Sequence, residues 1–184
     1  MYTVSTSSEA VADSNANEMN LDIETLFRVH YGRVARIIAR AVRDRARSEE
    51  LAVEVFLKLW RNHKAQSENV EGWLYRVAVR AGLDELRRQR RRGHYERMLA
   101  WVQPRPPAAT PEDIHSVSQK KDKVRSVLSI MKPRQAQFLL LRSHDFSYQE
   151  VASILNVNPT SIGTLVSRAE ESFRKEYVKR YGHE

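Results

Sequence analysis

The sequence predicts an all-α protein of two small helical domains joined by a Pro-rich linker, the second domain containing a helix-turn-helix. Apolar residues recur three or four positions apart along both halves of the chain, and no segment shows the two-residue alternation of a strand. Four of the six prolines fall between residues 104 and 111, where they prevent continuous helix. A chain of 184 residues with 41% hydrophobic residues is long enough for two small cores.

The first element is an acidic leader. Residues 1–20 contain Glu9, Asp13 and Glu18 but no Lys or Arg, whereas the whole chain has a formal net charge of +8. A leader rich in Ser, Ala and Asn lacks the apolar content to fold alone, so we expect residues 1–20 to be flexible. The basic remainder indicates a polyanionic partner.

Three helices are predicted in residues 21–102. A long amphipathic helix begins at Leu21, where the apolar period starts. Ser48, followed by two glutamates, is a start signal for the second helix. Asn69 can cap the third, which ends in the dense basic run of residues 86–97.

Residues 103–119 are the predicted linker, and residues 120–184 form the second helical domain. Pro133 suits the first turn of a helix, and Ser147 with Glu150 has the spacing of a capping box. Asn156 tolerates the left-handed backbone that often ends a helix, and Asn158 with Pro159 opens the next one. Two helices joined by about four residues are typical of a helix-turn-helix.

The composition excludes several classes of function. With no cysteine there is no disulfide scaffold, thiolate metal site or cysteine nucleophile. The six histidines show no metal-ligand spacing, and six glycines form no phosphate-binding loop. No apolar run suits a membrane span, and the N-terminus does not resemble a signal peptide. We therefore expect a cytoplasmic protein that is not an enzyme, without catalytic, cofactor-binding or metal-binding residues, small-molecule substrate or membrane insertion.

Four segments, in this order, resemble the bacterial extracytoplasmic-function sigma factors of the sigma-70 superfamily. They are LFRVHYGRVARIIARAV, SEELAVEVFLKLW, WLYRVAVRAGLDELRR and MKPRQAQFLLLRSHDFSYQEVASILNVNPTSIGTLVSRAEESFR. The resemblance covers residues 21–178. It implies a region 2-like domain at residues 21–102 and a region 4-like domain at residues 120–184.

The resemblance also implies a mechanism and a set of partners. The first domain would dock on the clamp helices of the RNA polymerase β′ subunit and capture the opened minus-ten promoter element. The second would read the minus-35 element while resting on the β flap. RNA polymerase core, promoter DNA and an anti-sigma factor are the implied partners, and the chain would act as a specificity subunit in promoter recognition, DNA opening and transcription initiation.

The family motifs transfer to particular residues of the first domain. The expected polymerase clamp contacts are Leu51, Glu54, Val55 and Lys58. The expected minus-ten contacts are Lys64, Gln66, Asn69, Arg76, Arg80, Arg87 and Arg88, with the cations neutralising the melted strand and the amides reaching base edges. Val53 stands where the family usually has Gln, and Arg80 where it commonly has Asn.

In the second domain the second helix of the helix-turn-helix would enter the major groove. Gly163 and Leu165 stand where typical members carry basic residues, so we expect weak or unusual minus-35 recognition. The matching positions, together with two arginines expected to contact phosphates, are Arg134, Arg142, Thr160, Ser161, Thr164, Ser167 and Arg168.

Two other functions fit parts of the sequence. A helix-turn-helix regulator that binds duplex DNA without polymerase would explain the C-terminal half but not the basic third helix. A degenerate sigma-like module that binds only proteins would explain the departures at Val53, Arg80 and Gly163.

Overall fold

The structure is a computed structural model that describes residues 7–62, 65, 69–102 and 115–182, with side chains described from residue 23 onward in the first helix, to residue 98 in the third and from residue 119 in the fourth. All regular structure in these ranges is helical, which confirms the predicted all-α class. The helices are α1 Ser7–Ala41, α2 Arg45–Trp60, α3 Val70–Val102, α4 His115–Ile130, α5 Pro133–Arg142, α6 Tyr148–Leu155 and α7 Ile162–Tyr181, with a 3₁₀ turn at Pro159–Ser161.

Helix α1 begins earlier than its apolar period indicates. The backbone of residues 7–20, expected to be flexible, is part of this helix. These residues contain neither proline nor glycine, so nothing in them interrupts a helix that has already formed from Leu21 onward.

The predicted start of α2 is wrong by one turn. Asp44 is the N-cap, and its side chain accepts a hydrogen bond from the Arg47 amide at 3.2 Å. Ser48 lies inside the helix, 2% exposed, and donates to the Asp44 carbonyl at 2.8 Å. Asp and Ser are comparable N-cap residues. Asp44 caps the helix because Ser48 is buried in the core.

Helix α3 begins as predicted at Asn69. The side-chain oxygen of Asn69 accepts from the Gly72 amide at 2.8 Å. A Cβ at Gly72 would lie 2.7 Å from the side-chain Nδ2 of Asn69, so the absence of a side chain at Gly72 leaves space for the capping side chain. Further along, Gly82 brings α3 against Ile38 and Ala41 of α1, where a Cβ would meet the Ala41 Cβ at 3.3 Å.

Helices α1, α2 and α3 pack together as the N-terminal half. Their apolar stripes meet in a core in which the aromatic and branched side chains are almost completely buried. Its principal members are Val34, Ile37 and Ile38 of α1, Val55, Phe56 and Leu59 of α2, and Leu74, Val79 and Leu83 of α3.

Helices α4 to α7 form the C-terminal half, and its predicted punctuation is confirmed. Pro133 occupies the first turn of α5, and Ser147 with Glu150 forms a complete capping box at α6. Asn156 ends α6 with φ of 51°, in the left-handed region. Asn158 caps the 3₁₀ turn that precedes α7, so α7 starts three residues later than Pro159.

The two halves are in contact. Helix α3 packs against α4, α5 and α6, and α1 packs against α5. The buried apolar residues of both halves form one continuous cluster.

Candidate nucleic-acid and polymerase interface

The predicted minus-ten residues lie along the start and one side of α3. Asn69 is exposed at its N-terminus, but its amide nitrogen donates to the Ser153 hydroxyl of α6 at 2.9 Å. Lys64 and Gln66 lie outside the described residues. The one described base-reading candidate of this set is therefore bonded both to its own helix and to the C-terminal half.

The four arginines of this set have different surroundings. Arg80 is exposed, whereas burial, followed by the positive charges of Arg80 and Arg134, lowers the pKa of Arg76. Arg87 pairs with Asp84 at 3.2 Å and has only 20% of its side chain exposed. Arg88 is 60% exposed and lies 3.6 Å from the buried carboxylate of Glu85.

A crevice of about 370 Å³ separates this side of α3 from the start of α5. Because three arginines and one aspartate line it, its net charge is positive. The lining residues are Arg80, Leu83, Asp84, Arg87, Pro133, Arg134 and Gln137.

The structure brings the predicted recognition residues to one exposed surface at the start of α7. Thr160, Ser161, Thr164, Ser167 and Arg168 are all exposed. The Thr160 hydroxyl donates to the Asn158 side chain at 2.8 Å, so it also takes part in the cap. This surface offers hydroxyls and one guanidinium.

Arg134 and Arg142, predicted to contact phosphates, make structural bonds. Arg134 donates to the Leu155 carbonyl at 2.6 Å, where α6 ends. Arg142 donates to the Phe146 carbonyl, and its guanidinium lies 4.8 Å from the ring centre of Tyr148. Both arginines hold the turns around α6, which reduces their freedom to reach DNA.

The predicted clamp-binding residues on α2 divide into two groups. Leu51 is 5% exposed and Val55 is fully buried, so both are core residues whose side chains are not available to a partner. Glu54 is half-buried and Lys58 is exposed. The helical period predicted the apolar stripe of Leu51, Val55 and Leu59, and the structure buries this stripe in the core.

Sequence analysis missed an exposed apolar ridge on α2. Val53, Leu57 and Trp60 are 42%, 43% and 50% exposed and lie four and three residues apart, on one side of the helix. Large apolar side chains exposed together mark a docking surface. The available signal was a second apolar series, offset by two residues, or about half a turn, from Leu51, Val55 and Leu59.

An open groove of about 1440 Å³ lies between α1 and the C-terminal half. Arg33, Arg36 and Arg40 of α1 line one side, and apolar side chains such as Phe173 and Tyr177 of α7 line the other. His144 lies at its edge, and burial, then the charges of Arg40 and Arg36, lowers the pKa of His144 to about 4.

Within the described ranges no group of three or more His, Asp or Glu side chains is placed to hold a metal ion. In the same part of the chain, no helix combines the length and the hydropathy of a transmembrane segment.

These features define a class of protein: a helical DNA-binding protein with a helix-turn-helix and a basic helix beside it. Comparison with known families is more specific. The model of sigma-70 region 2 matches residues 26–92, and that of sigma-70 region 4 matches residues 121–172. The chain belongs to the sigma-70 family, within its extracytoplasmic-function group.

Curated relatives extend over both halves. The chain is 28% identical to the sigma factor SigE of Mycolicibacterium smegmatis, across 88% of this chain and 63% of that protein. It is 27% identical to the ferric citrate uptake sigma factor FecI of Escherichia coli, across 91% of this chain and 99% of that one. A solved structure of the sigma factor RpoE with the anti-sigma factor NepR, from Bartonella quintana, covers 84% of this chain and 96% of that chain, at 18% identity and a TM-score of 0.48.

Proposed function

We propose that this chain is a specificity subunit of bacterial RNA polymerase that selects promoters and helps to open them. The observation that carries the proposal is the presence of sigma-70 regions 2 and 4, in that order, on two helical halves. Transcription chemistry belongs to the polymerase in this scheme, so the chain contributes binding and no catalysis. Its place of action is the cytoplasm, with the polymerase.

Each of the two regions binds a different promoter element. The domain at residues 21–102 binds the minus-ten element through Asn69, Arg76 and Arg80, together with the neighbouring cations of α3. The domain at residues 120–184 takes the minus-35 element through the exposed start of α7. Residues 103–119 connect them, and the last five of these residues already belong to α4.

Docking on the β′ clamp is assigned to the exposed side of α2. Val53, Leu57 and Trp60 supply the apolar area, and Glu54 and Lys58 supply polar groups beside it. Leu51 and Val55 support this surface from the core. The β flap and an anti-sigma factor are the further protein partners of the proposal.

The experiment is transcription in vitro with purified core polymerase and genomic DNA fragments. We expect defined start sites that appear only when the chain is added. If no start site rises above the background of core polymerase, the sigma-factor proposal is wrong.

Footprinting distinguishes the helix-turn-helix regulator. A regulator protects an operator without polymerase, whereas a specificity subunit protects promoter DNA tightly only with core polymerase. The purely protein-binding alternative predicts association with core polymerase and no start site.

A further inference from the structure

The open groove between α1 and the C-terminal half has no role in the proposed function. Its volume of about 1440 Å³ is larger than the roughly 300 to 1,000 Å³ that small-molecule sites usually have. Helix α1 lines one side, and α4, α5 and α7 line the other. The groove contains none of the residues assigned above to the minus-ten or the minus-35 element, so it is a separate place on the molecule.

The side chains that line the groove are mostly cationic. Seven of them are Lys or Arg, against only two carboxylates, those of Asp145 and Glu170. His144 adds no charge near neutral pH, because its pKa is lowered to about 4. Such an excess of positive charge between helices favours a ligand with several negative charges over a ligand with one.

Three of these seven cations already have partners within the protein. Arg33 lies over two aromatic rings, Arg40 donates to a backbone carbonyl at 2.7 Å, and Arg125 donates to another at 3.2 Å. The other four are exposed, and within the described part of the chain none of them pairs with a carboxylate. They are Arg36 of α1, Lys120 and Lys121 of α4, and Arg174 of α7. Phosphate oxygens accept charge-assisted hydrogen bonds from both Arg and Lys.

Aromatic rings form part of the wall opposite α1. Phe173 and Tyr177 of α7 are half-buried, and their ring centres lie 5.9 Å apart with 28° between the planes. Val124 of α4, which is 40% exposed, lines the groove as well. Partly exposed aromatic rings beside apolar surface are suited to a planar ring such as a nucleobase.

From the unpaired cations and the aromatic wall we propose that this groove binds a nucleotide with several phosphates. The phosphates contact Arg36, Lys120 and Lys121, and the base packs against Phe173 and Tyr177. The proposal goes beyond the proposed function and does not depend on it. Because α1 and the C-terminal half both contact the ligand, binding stabilises the folded chain by mass action.

Two other occupants fit the groove less well. An amphiphile with a single carboxylate would use the apolar wall but would leave most of the four cations unpaired. A segment of acidic peptide would pair with the cations but has no planar ring to place against Phe173 and Tyr177. The nucleotide is the occupant that uses both features.

A double variant, Arg36→Gln with Lys121→Gln, tests the phosphate contacts. Both residues are exposed, so the fold should be retained. The matched control is Arg28→Gln with Lys179→Gln, because it removes the same charge from exposed positions of α1 and α7 that do not line the groove. Denaturant unfolding of both variants checks that their stability is unchanged.

Nucleotide binding is measured by the fluorescence anisotropy of N-methylanthraniloyl-GTP at about 0.15 M salt, which screens distant surface charges. We expect the groove variant to bind at least about tenfold more weakly than the unsubstituted chain, since charge-assisted hydrogen bonds are lost. The control should change affinity by less than about twofold. Unlabelled GTP should raise the unfolding temperature of the control but not that of the groove variant.

Competition against the same probe tests the base. Inorganic tripolyphosphate, which has the phosphates without the base, should compete at least about tenfold more weakly than ATP or GTP, because it cannot stack. Phe173→Leu keeps an apolar side chain at this half-buried position. It should weaken the binding of ATP and GTP and leave that of tripolyphosphate unchanged.

Several results overturn the proposal. Absence of probe binding, or equal affinity of the groove variant and its control, would show that the groove holds no nucleotide. Equal competition by tripolyphosphate and GTP would mean that the base has no place there. Displacement of the probe by a polyglutamate peptide as effectively as by GTP would assign the groove to acidic peptides instead. These assays contain neither polymerase nor DNA, so their failure leaves the specificity-subunit proposal, which transcription in vitro tests, unaffected.

Discussion

The pKa of His144 depends on the contact between the two halves. His144 belongs to the C-terminal half, and burial is the main cause that lowers its pKa. Arg40 and Arg36 of α1 lower the pKa further, against a smaller opposite effect of Asp145. Among the described residues nothing hydrogen-bonds its Nε2 atom, which is buried. The ring is therefore neutral at pH 7.

This environment makes stability depend on pH. The unfolded chain binds a proton at His144 near pH 6.5, whereas the pKa in the folded chain is about 4. The contribution of neutral His144 to the free energy of unfolding is therefore fully present above about pH 6.5. This contribution is lost as the pH decreases toward about 4. We expect a loss of roughly 1 to 2 kcal/mol from this residue, below the full linkage value because solvent screens its neighbours.

Denaturant unfolding between pH 7.5 and 4.5 measures the effect. His144→Asn should flatten the dependence, and His94→Asn, which changes an exposed histidine of α3, should leave it as it was. Identical slopes in the two variants would assign the loss to other groups.

Single residues also mark the limit of prediction from sequence. The capping roles of Asn69, Ser147 and Asn156 were predictable because they depend on neighbours in the chain. Ser48 was predicted wrongly because the choice between Asp44 and Ser48 depends on which one the core of the N-terminal half buries. The bond from Asn69 to Ser153 joins residues 84 positions apart and had no local signal.

At the scale of elements, α2 shows two apolar stripes with different purposes. Leu51, Val55 and Leu59 pack in the core, whereas Val53, Leu57 and Trp60 are largely exposed. Periodicity identified the helix, but the same wheel carries two apolar stripes about half a turn apart. The packing of α2 against both α1 and α3 decides which stripe is buried.

The exposed stripe leads to a prediction about polymerase binding. Leu57→Glu should weaken association with core polymerase by about 2 kcal/mol, roughly thirtyfold, because it removes apolar area from the centre of the docking surface. The fold should be retained, since Leu57 is 43% exposed.

Affinity for core polymerase, measured by competition between labelled and unlabelled chains, checks this prediction. Val29→Glu is the control, because Val29 is an equally apolar and 66% exposed residue on a different helix, α1. Equal weakening by both variants would mean that the exposed side of α2 has no special role.

At the scale of the whole molecule, the two halves meet although both are basic. Arg33, Arg36 and Arg40 of α1 face Lys120 and Lys121 of the C-terminal half across the open groove. The ion pair between Arg43 and Asp122 offsets this repulsion only in part. The sequence predicted both helical halves, but it could not predict their contact, because that contact depends on distant surfaces such as Tyr75 and Phe146.

Like charges across the interface predict an unusual response to salt. Raising the salt concentration from about 0.05 M to 0.5 M shortens the screening length to a few ångströms and so weakens the repulsion between exposed groups. We expect energy transfer between dyes attached to cysteines introduced at Val29 of α1 and Lys175 of α7, both exposed, to rise over this range.

A second dye pair, placed at two exposed positions of the N-terminal half alone, corrects for direct effects of salt on the dyes. Transfer that falls with salt after this correction would show that ion pairs such as Arg43 with Asp122 outweigh the repulsion.

Helix α3 is much longer than the core that it supports. Its 33 residues extend about 50 Å, and residues 94–98 of its C-terminal part are exposed. Chain geometry allows residues 103–114 a span of up to about 40 Å. The connection to the C-terminal half thus starts at the far end of a long helix. The C-terminal half can therefore move by tens of ångströms relative to the N-terminal half while every helix stays folded.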